Sequence, residues 1–505
     1  MPNHRNVLFI IIDQLRADCL HGRLASHVAL PNLRALQKDA VTFERHFSTT
    51  NPCGPSRASI LTGRYAMNHR AVRNGTPLPH DMPNVATEAR KAGYLPLLFG
   101  YTDIAQDPRT RDPNDPALKS YEQVIPGFDE ALEMRLEESW PWRADLKAKG
   151  YDVPAYPDIF RPIGSDPSDP ALYRAEDSDT AFLASRMINE LSVRPKGWFA
   201  HATFIRPHPP LVAPEPYNRM YDPANLPSPV RPRQKEDEYA LHPLAALQAQ
   251  AKSFASNVEG FPDLPETDEN IAKLRSIYLG LATEVDHHIG RIIAFLKESG
   301  QYDDTLIIVT ADHGEMLGDY HGWGKMSFYD AAYHTPLIIR DPDHAEHFGT
   351  TVVQPTESVD VAPTILDHLG VDIPDTMDGR SLKPFLQGTT PADWKRHSFS
   401  ELDYGDPVEP TIAEQMFDLD SDQANLAILR DGRYTLVHFN GGFPQLLFDH
   451  EKDGEARNIA EDPEAAGVLL DLTRKMLDHR MTHTDGRFAK TMITEAGAVR
   501  AARKS

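Results

Sequence analysis

Asn6-Val7-Leu8-Phe9-Ile10-Ile11-Ile12, ended by Asp13, is a continuous β-branched and apolar run. Such a run suits a strand buried on both faces, the position of an inner strand in a parallel sheet. Helices and strands alternate outward from it. Pro31 to Ala40 reads as a helix with Leu33 and Leu36 inward, and Val41 to Phe47 alternates like a strand. Asn84 to Lys91 is helical and stops at Gly93, after which Leu95 to Tyr101 returns as a strand. Thr180 to Leu191 is a helix and Trp198 to Ile205 a strand. From Ile271 the apolar positions Leu274, Tyr278, Leu281, Val285, Ile289, Ile292 and Leu296 keep helical spacing until Gly300. Thr305 to Thr310 and Pro336 to Arg340 are further strands. The alternation predicts an α/β layer fold with a mostly parallel central sheet flanked by helices.

The texture changes after about residue 390. Ala427 to Arg430, the turn Asp431-Gly432 and Tyr434 to Phe439 read as a β-hairpin. Leu446 to Asp449 adds a strand, and Pro463 to His479 a closing amphipathic helix. We therefore expect residues 1–390 to form the main α/β domain and residues 391–505 a small C-terminal α+β domain with a tail. Residues 103–178, rich in Pro, Asp and charge, read as loop and insert rather than core.

The chain has 505 residues, 52 basic against 74 acidic, for a net charge of −22. That balance argues against nucleic acid and anionic membrane as partners, because both want a basic face. It leaves room for a small anionic substrate in a local cationic pocket. The two cysteines, Cys19 and Cys53, offer no disulfide framework, which fits a reducing compartment. The apolar run Val7 to Ile12 is too short for a signal peptide or a membrane span, so cytoplasmic residence is expected.

Cys53-Gly54-Pro55-Ser56-Arg57, followed by Leu61-Thr62-Gly63-Arg64, is the stretch that carries the chemistry. Pro55 suits the first turn of a helix that Ala58 to Thr62 continue and Gly63 ends. Cys53 then sits by a helix N-terminus, where N–H groups and the dipole favour an anion. This stretch resembles the sulfatase signature C-x-P-S-R with its downstream L-T-G-R. The resemblance implies that a maturation enzyme oxidises Cys53 to Cα-formylglycine, whose hydrate is the nucleophile. One oxygen of that diol attacks; deprotonating the other expels the product group as the aldehyde reforms. A thiolate phosphatase is disfavoured, since that chemistry resembles C-x5-R and Arg57 follows Cys53 too soon.

In open α/β sheets, ligands bind beyond the carboxyl ends of strands. Asp13 follows the first strand, and Asp312-His313-Gly314-Glu315 follows Thr305 to Thr310. Both segments resemble metal-binding segments of the alkaline phosphatase superfamily, to which sulfatases belong. The resemblance implies that Asp13, the Cys53-derived diol, Asp312 and His313 hold one divalent cation. Carboxylates with one imidazole suit Ca²⁺, Mn²⁺ or Mg²⁺ better than a thiophilic metal, and Ca²⁺ or Mn²⁺ is the expected ion. Many sulfatases carry paired aspartates and Asp-Asn where this chain has Asp13-Gln14 and Asp312-His313. That variant is similar to the phosphonate monoester hydrolase branch and its neighbouring arylsulfatases. Other segments agree: Gly100-Tyr101-Thr102, Asp107-Pro108-Arg109-Thr110, Met67-Asn68-His69-Arg70-Ala71-Val72 and Arg206-Pro207-His208-Pro209-Pro210.

Roles implied by that branch fall on residues present here. Arg57 orients the diol and contacts a non-bridging oxygen. Lys325 binds sulfuryl oxygens and the leaving group, and His208, in a rigid Pro-rich segment, is the general acid. Asn74 and Tyr101 shape the oxyanion site, with Thr102 beside them. Asp103 stands where the branch tends to show a hydroxyl residue, and His334 where many relatives carry arginine or a small residue. The expected activity is formylglycine-dependent hydrolysis of aryl sulfate monoesters, with promiscuity toward phosphonate monoesters and phosphate diesters. Phosphonate or phosphodiester hydrolysis as the main activity is the alternative. The expected partners are a small anionic ester, the maturation enzyme, and further copies of the chain in a dimer or tetramer, which the tail from His479 to Ser505 could mediate.

Overall fold

The computed structural model describes residues 5–136, 138–485, 489, 491–495 and 497–500. Its centre is an eight-stranded sheet. The strands are β1 (Asn6–Ile12), β2 (Val41–Phe43), β3 (Pro96–Gly100), β4 (Asp129–Glu133), β5 (Phe199–Phe204), β6 (Thr305–Thr310), β7 (Leu337–Arg340) and β8 (Thr351–Val352). They lie in the order β4-β3-β5-β1-β6-β7-β2-β8. The apolar opening run is the middle of this sheet: β1 pairs in parallel with β5 on one side and β6 on the other, and all its residues are buried. β7 is antiparallel to both its neighbours, and the other strands share one direction.

Side chains of a strand alternate between faces, and β1 feeds two cores accordingly. Leu8, Ile10 and Ile12 pack with α1 (Pro31–Lys38), and with two helices further along the chain. Val7, Phe9 and Ile11 pack with α2 (Cys53–Thr62), α3 (Val85–Lys91) and a later helix. The first face is completed by α4 (Asp179–Ser192) and α5 (Asp268–Glu298), the second by α6 (Val361–His368). Each of these Ile or Phe side chains contributes roughly 1.5–3 kcal/mol by leaving water. The helix starts are written locally. Asn84 accepts from Ala86 N and Thr87 N at the head of α3, Ser178 caps α4, and Thr267 caps α5.

Four strands form a separate antiparallel sheet: β9 (Ser398–Asp403), β10 (Asn425–Arg430), β11 (Tyr434–Phe439) and β12 (Leu446–Asp449). Against it packs α7 (Ala466–Thr482) through Leu472 and Met476. Backbone and side chain tie β9 to the main body: Glu401 N donates to Thr49 O, and Ser400 Oγ to Ser48 O. Within the tail, Thr491–Thr494 and Gly497–Arg500 pair as a hairpin. Residues 486–488, 490, 496 and 501–505 of the tail lie outside the described residues. Among the described residues no helix is long and apolar enough to cross a membrane.

Two expectations differ in detail, and one gains a direction. The run Val41 to Phe47 splits, because after Phe43 the chain turns and His46–Phe47 pairs with Thr356–Glu357 instead. Pro336 to Arg340 is a strand, but an antiparallel one. The stretch 103–178 is not merely decoration. It supplies edge strand β4 and buries Trp142, Leu146, Phe160 and Tyr173 in the main core. Asp129-Glu130-Ala131-Leu132-Glu133 carries too much charge to read as a strand, which is tolerable only because an edge strand keeps one side solvated.

Candidate active site

The carboxyl ends of β3, β1 and β6 lie on one side of the sheet, and the first turn of α2 is brought against them. Cys53 is the first residue of α2, and the helix closes at Gly63, whose φ of 64° is left-handed and whose N–H returns to Ser59 O. Gly54 is fixed by crowding: a Cβ there would come within 2.9 Å of Asp103 O and 3.0 Å of Asn74 Oδ1. Gly54 N instead donates to Asn74 Oδ1 at 2.9 Å.

Around Cys53 Sγ stand His313 Nε2 at 3.1 Å and Asp13 Oδ1 at 3.9 Å. His313 Nε2 lies 3.8 Å from both Asp13 Oδ1 and Asp312 Oδ2. Its Nδ1 is 2.9 Å from Gly314 O. That bond fixes the proton on Nδ1, so Nε2 presents a lone pair to the same point as two carboxylates. Burial pushes His313 below the usual imidazole range, keeping it neutral. Ligand atoms of Asp13, Cys53, Asp312 and His313 lie within 4.8 Å of one another, all four residues buried. Oxygen, oxygen and one imidazole converging in a dry pocket fit a hard divalent cation. A second acidic group, Asp341, Asp343 and His368, has similar spacing but is partly exposed.

Arg57 is fully buried and joins the two acids. Its Nη2 donates to Asp13 Oδ2 at 2.7 Å and its Nε to Asp312 Oδ2 at 3.0 Å. The guanidinium lies 4.2 Å from the Tyr101 ring centre, and Tyr101 OH donates to Asp13 Oδ2 at 2.5 Å. Burial and the neighbouring Asp312 push Asp13 up. Asp312 is also raised by burial, but His313 and Arg57 outweigh that and hold it below its ordinary value. Burial, then Asp13, pushes the Cys53 thiol well up.

Lys325 and His208 meet beside this group. Lys325 Nζ donates to Gln14 Oε1 at 2.8 Å and to His208 Nε2 at 2.9 Å, while His208 Nδ1 donates to Pro209 O at 2.5 Å. Burial, then Lys325 and Lys252, pushes His208 well below the usual range, so it is a neutral acceptor. Burial opposes the charge on Lys325, yet Cys53 and Asp13 outweigh it. Glu315 is the hub of the supporting layer: Oε1 accepts from Leu317 N and Gly324 N, and Oε2 from Gln14 Nε2. Lys252, half-buried against Gly324, is held down to about 8 by burial.

Of the residues singled out in the sequence, Asp13, Cys53, Arg57, Tyr101, Asp312, His313, Lys325 and His208 form one connected group, and Asn74 adjoins it through Gly54. Thr102 does not join it. Its Oγ1 donates to Gln123 O and accepts from Ile125 N, tying down the insert. Asp103 turns toward the site instead: burial pushes it up to about 8, and its Oδ1 has no partner. His334 donates to Glu44 O and stacks on Phe47, a structural role. His69 bridges Ser59 and Ala71 N, and His287 meets Tyr217 OH. Sequence reading misses Gln14, Glu315 and Lys252 as members of the site. Gln14 has a signal, since it directly follows Asp13; Lys252 has none.

Site and fold together define an anion-directed hydrolase of the α/β class. The sulfatase family model matches residues 5–371, and a model for the C-terminal region of N-sulphoglucosamine sulphohydrolase matches residues 318–482. The chain belongs to the sulfatase family of the alkaline phosphatase superfamily, hydrolases of sulfate or phosphonate esters. It is 38% identical over 499 residues to the multifunctional alkaline phosphatase superfamily protein PehA of Trinickia caryophylli, covering 95% of this chain and 96% of that one. It is similar to the solved phosphonate monoester hydrolase of Silicibacter pomeroyi, with 59% identity, a TM-score of 0.97, and 99% and 100% of the two chains covered. A second solved phosphonate monoester hydrolase, of Agrobacterium radiobacter, is 42% identical with a TM-score of 0.95 over 99% and 100%.

Proposed function

We propose that this chain is a formylglycine-dependent hydrolase of monoanionic tetrahedral esters: aryl sulfates, phosphonate monoesters and phosphate diesters. The observation that carries the reading is the ring of Asp13, Asp312, His313 and Arg57 around Cys53, with Lys325 at its edge. Cys53 Sγ occupies the position of the hydrate oxygen of formylglycine. The unmodified thiol is a poor candidate nucleophile, since burial and Asp13 disfavour its thiolate. Formylglycine supplies a nucleophilic oxygen and a second hydroxyl that later expels the product group, and a divalent cation supplies positive charge beside that oxygen.

The chain's own residues do the rest. Asp13, Asp312 and His313 would hold the cation, and Arg57 fixes both carboxylates in one geometry. Lys325 faces Cys53 and neutralises a non-bridging oxygen of the ester. His208 Nε2 accepts from Lys325 Nζ, so one proton is shared along that bond, and it is the proton available to the departing oxygen. Tyr101 holds Asp13 and stacks on Arg57. Asn74 fixes the first turn of α2. A singly charged group is matched by this cation count; a phosphate monoester dianion, which above about pH 8 also meets an ionised Asp103, is not.

Similarity to two phosphonate monoester hydrolases favours a second reading, in which phosphonate monoesters or phosphodiesters are the main target. Catalytic efficiencies on matched aryl esters decide between them: sulfate falling far below both phosphorus esters overturns the first ranking. A cytoplasmic setting and a maturation enzyme acting on Cys53 complete the proposal. So does self-association, supported by exposed Leu477 and Met481 on α7 and Met492 and Ile493 on the tail hairpin.

A further inference from the structure

Lys252 follows the helix Pro243–Ala251 and reaches the site from a part of the chain that no motif marks. Its aliphatic stem lies on Gly324, the residue before Lys325: a Cβ at Gly324 would meet Lys252 Cδ at 3.1 Å and Nζ at 4.0 Å. Lys252 and Lys325 are therefore neighbouring cations that disfavour each other's charge, and both act on neutral His208. Like charges this close repel unless an anion lies between or beside them.

The chain itself offers Lys252 no such anion. Among the described residues, Nζ of Lys252 makes neither a hydrogen bond nor an ion pair. Lys325 and Lys395 are paired, with Gln14 and with Glu357 and Asp360. Glu315, the carboxylate that acts most strongly on Lys252, spends its oxygens on Leu317 N, Gly324 N and Gln14. Nor is Lys252 needed for the reacting group, whose single charge Lys325 and the cation site already meet. Lys252 acts on His208, the group that faces the leaving portion of an ester, as well as on Cys53.

We propose that Lys252 is a specificity-determining residue that receives an anionic substituent, such as a carboxylate, on the leaving portion of the substrate. The proposal rests on the ester-hydrolase reading above and narrows its substrate class to esters whose departing alcohol or phenol carries a second negative charge.

The test compares para-carboxyphenyl sulfate with para-carbamoylphenyl sulfate, nearly isosteric and differing in charge, on the matured, metal-loaded enzyme; the corresponding phenylphosphonate monoesters form a second pair. The wild type should favour the charged member by about tenfold in kcat/KM, mainly through KM. Lys252→Ala should bring that ratio near one, and Lys252→Arg should keep most of it, which also controls for folding. An unchanged ratio in Lys252→Ala, or an equal loss on both members of a pair, overturns the proposal; the second result would put Lys252 on the reacting group. If the wild type hydrolyses none of these esters, the ester-hydrolase reading fails separately. Calorimetric dissociation constants of the same unreacted esters then give the charged-to-neutral ratio. A ratio that falls toward one in Lys252→Ala supports the role of Lys252, and an unchanged ratio overturns it.

Discussion

Arg57→Ala in metal-free protein isolates the electrostatic core of the account. In the native chain two buried carboxylates, Asp13 and Asp312, share one buried guanidinium at 2.7 and 3.0 Å. Removing it leaves two acids facing each other with His313 between them, and no solvent to screen them. A pair of unit charges about 4 Å apart interacts by about 4 kcal/mol at an effective dielectric near 20. Breaking a buried pair by deleting one partner costs about 3–5 kcal/mol, because the remaining charge is uncompensated. The methylene and ring-stacking loss against Tyr101 adds to this. Urea unfolding in chelator should therefore show Arg57→Ala destabilised by about 3–5 kcal/mol. Saturating Mn²⁺ or Ca²⁺ should recover a good part of that loss, since a cation ligated by the same acids replaces the missing charge. A loss below about 1 kcal/mol in chelator, or no recovery with either ion, would refute the reasoning.

Further outcomes follow from the same contacts. Because His208 Nε2 and Lys325 Nζ share one proton, His208→Ala and Lys325→Ala should each cost about 100-fold on a poor leaving group; the double variant should cost little more than the worse single one, and additive losses would separate the two roles. Asp103 is pushed up to about 8 by burial, so it is neutral below that pH and an anion above it. Affinity for anionic substrate should fall as pH rises through about 8. Asp103→Asn should remove that fall, seen in the pH profile of kcat/KM, and above about pH 8 raise activity on phosphate monoesters about tenfold. Stability should drop in acid: His46, His69 and His201 are held down to about 3 by burial. A histidine depressed in the folded state binds its proton more readily when unfolded, so stability is present above about pH 6.5 and is lost as pH falls toward 3. The slope approaches about 1.4 kcal/mol per pH unit for each histidine, so denaturant midpoints at a series of acidic pH values measure it.

The parts legible in the sequence are those whose information is local. β1 announces itself because an inner strand has no wet face, and α5 because one helix face must be apolar over its length. Asp13 and Asp312-His313 are legible because each follows a strand whose carboxyl end opens on the site. Thr102 misleads because the chain has left the strand conformation there: Asp103 takes a left-handed φ of 55°, and Tyr101 and Asp103 face Cys53 while Thr102 faces the insert. Strand β9 escapes notice because Ser398, Ser400, Glu401 and Asp403 are polar yet buried, paired across to residues far away in sequence. Gln14, Glu315 and Lys252 belong to the site only through contacts about 300, or in the case of Lys252 about 70, residues distant, which no spacing rule encodes.

The central claim is that Cys53 does not act as a thiol. Mass spectrometry of the peptide containing Cys53, from protein made with and without a formylglycine-generating enzyme, tests it directly. The account predicts an aldehyde in place of the thiol, in a fraction of molecules that tracks ester hydrolysis across preparations. Fully active protein with an unmodified Cys53 would contradict it, and the nucleophile would then have to be sought among the other groups of the site.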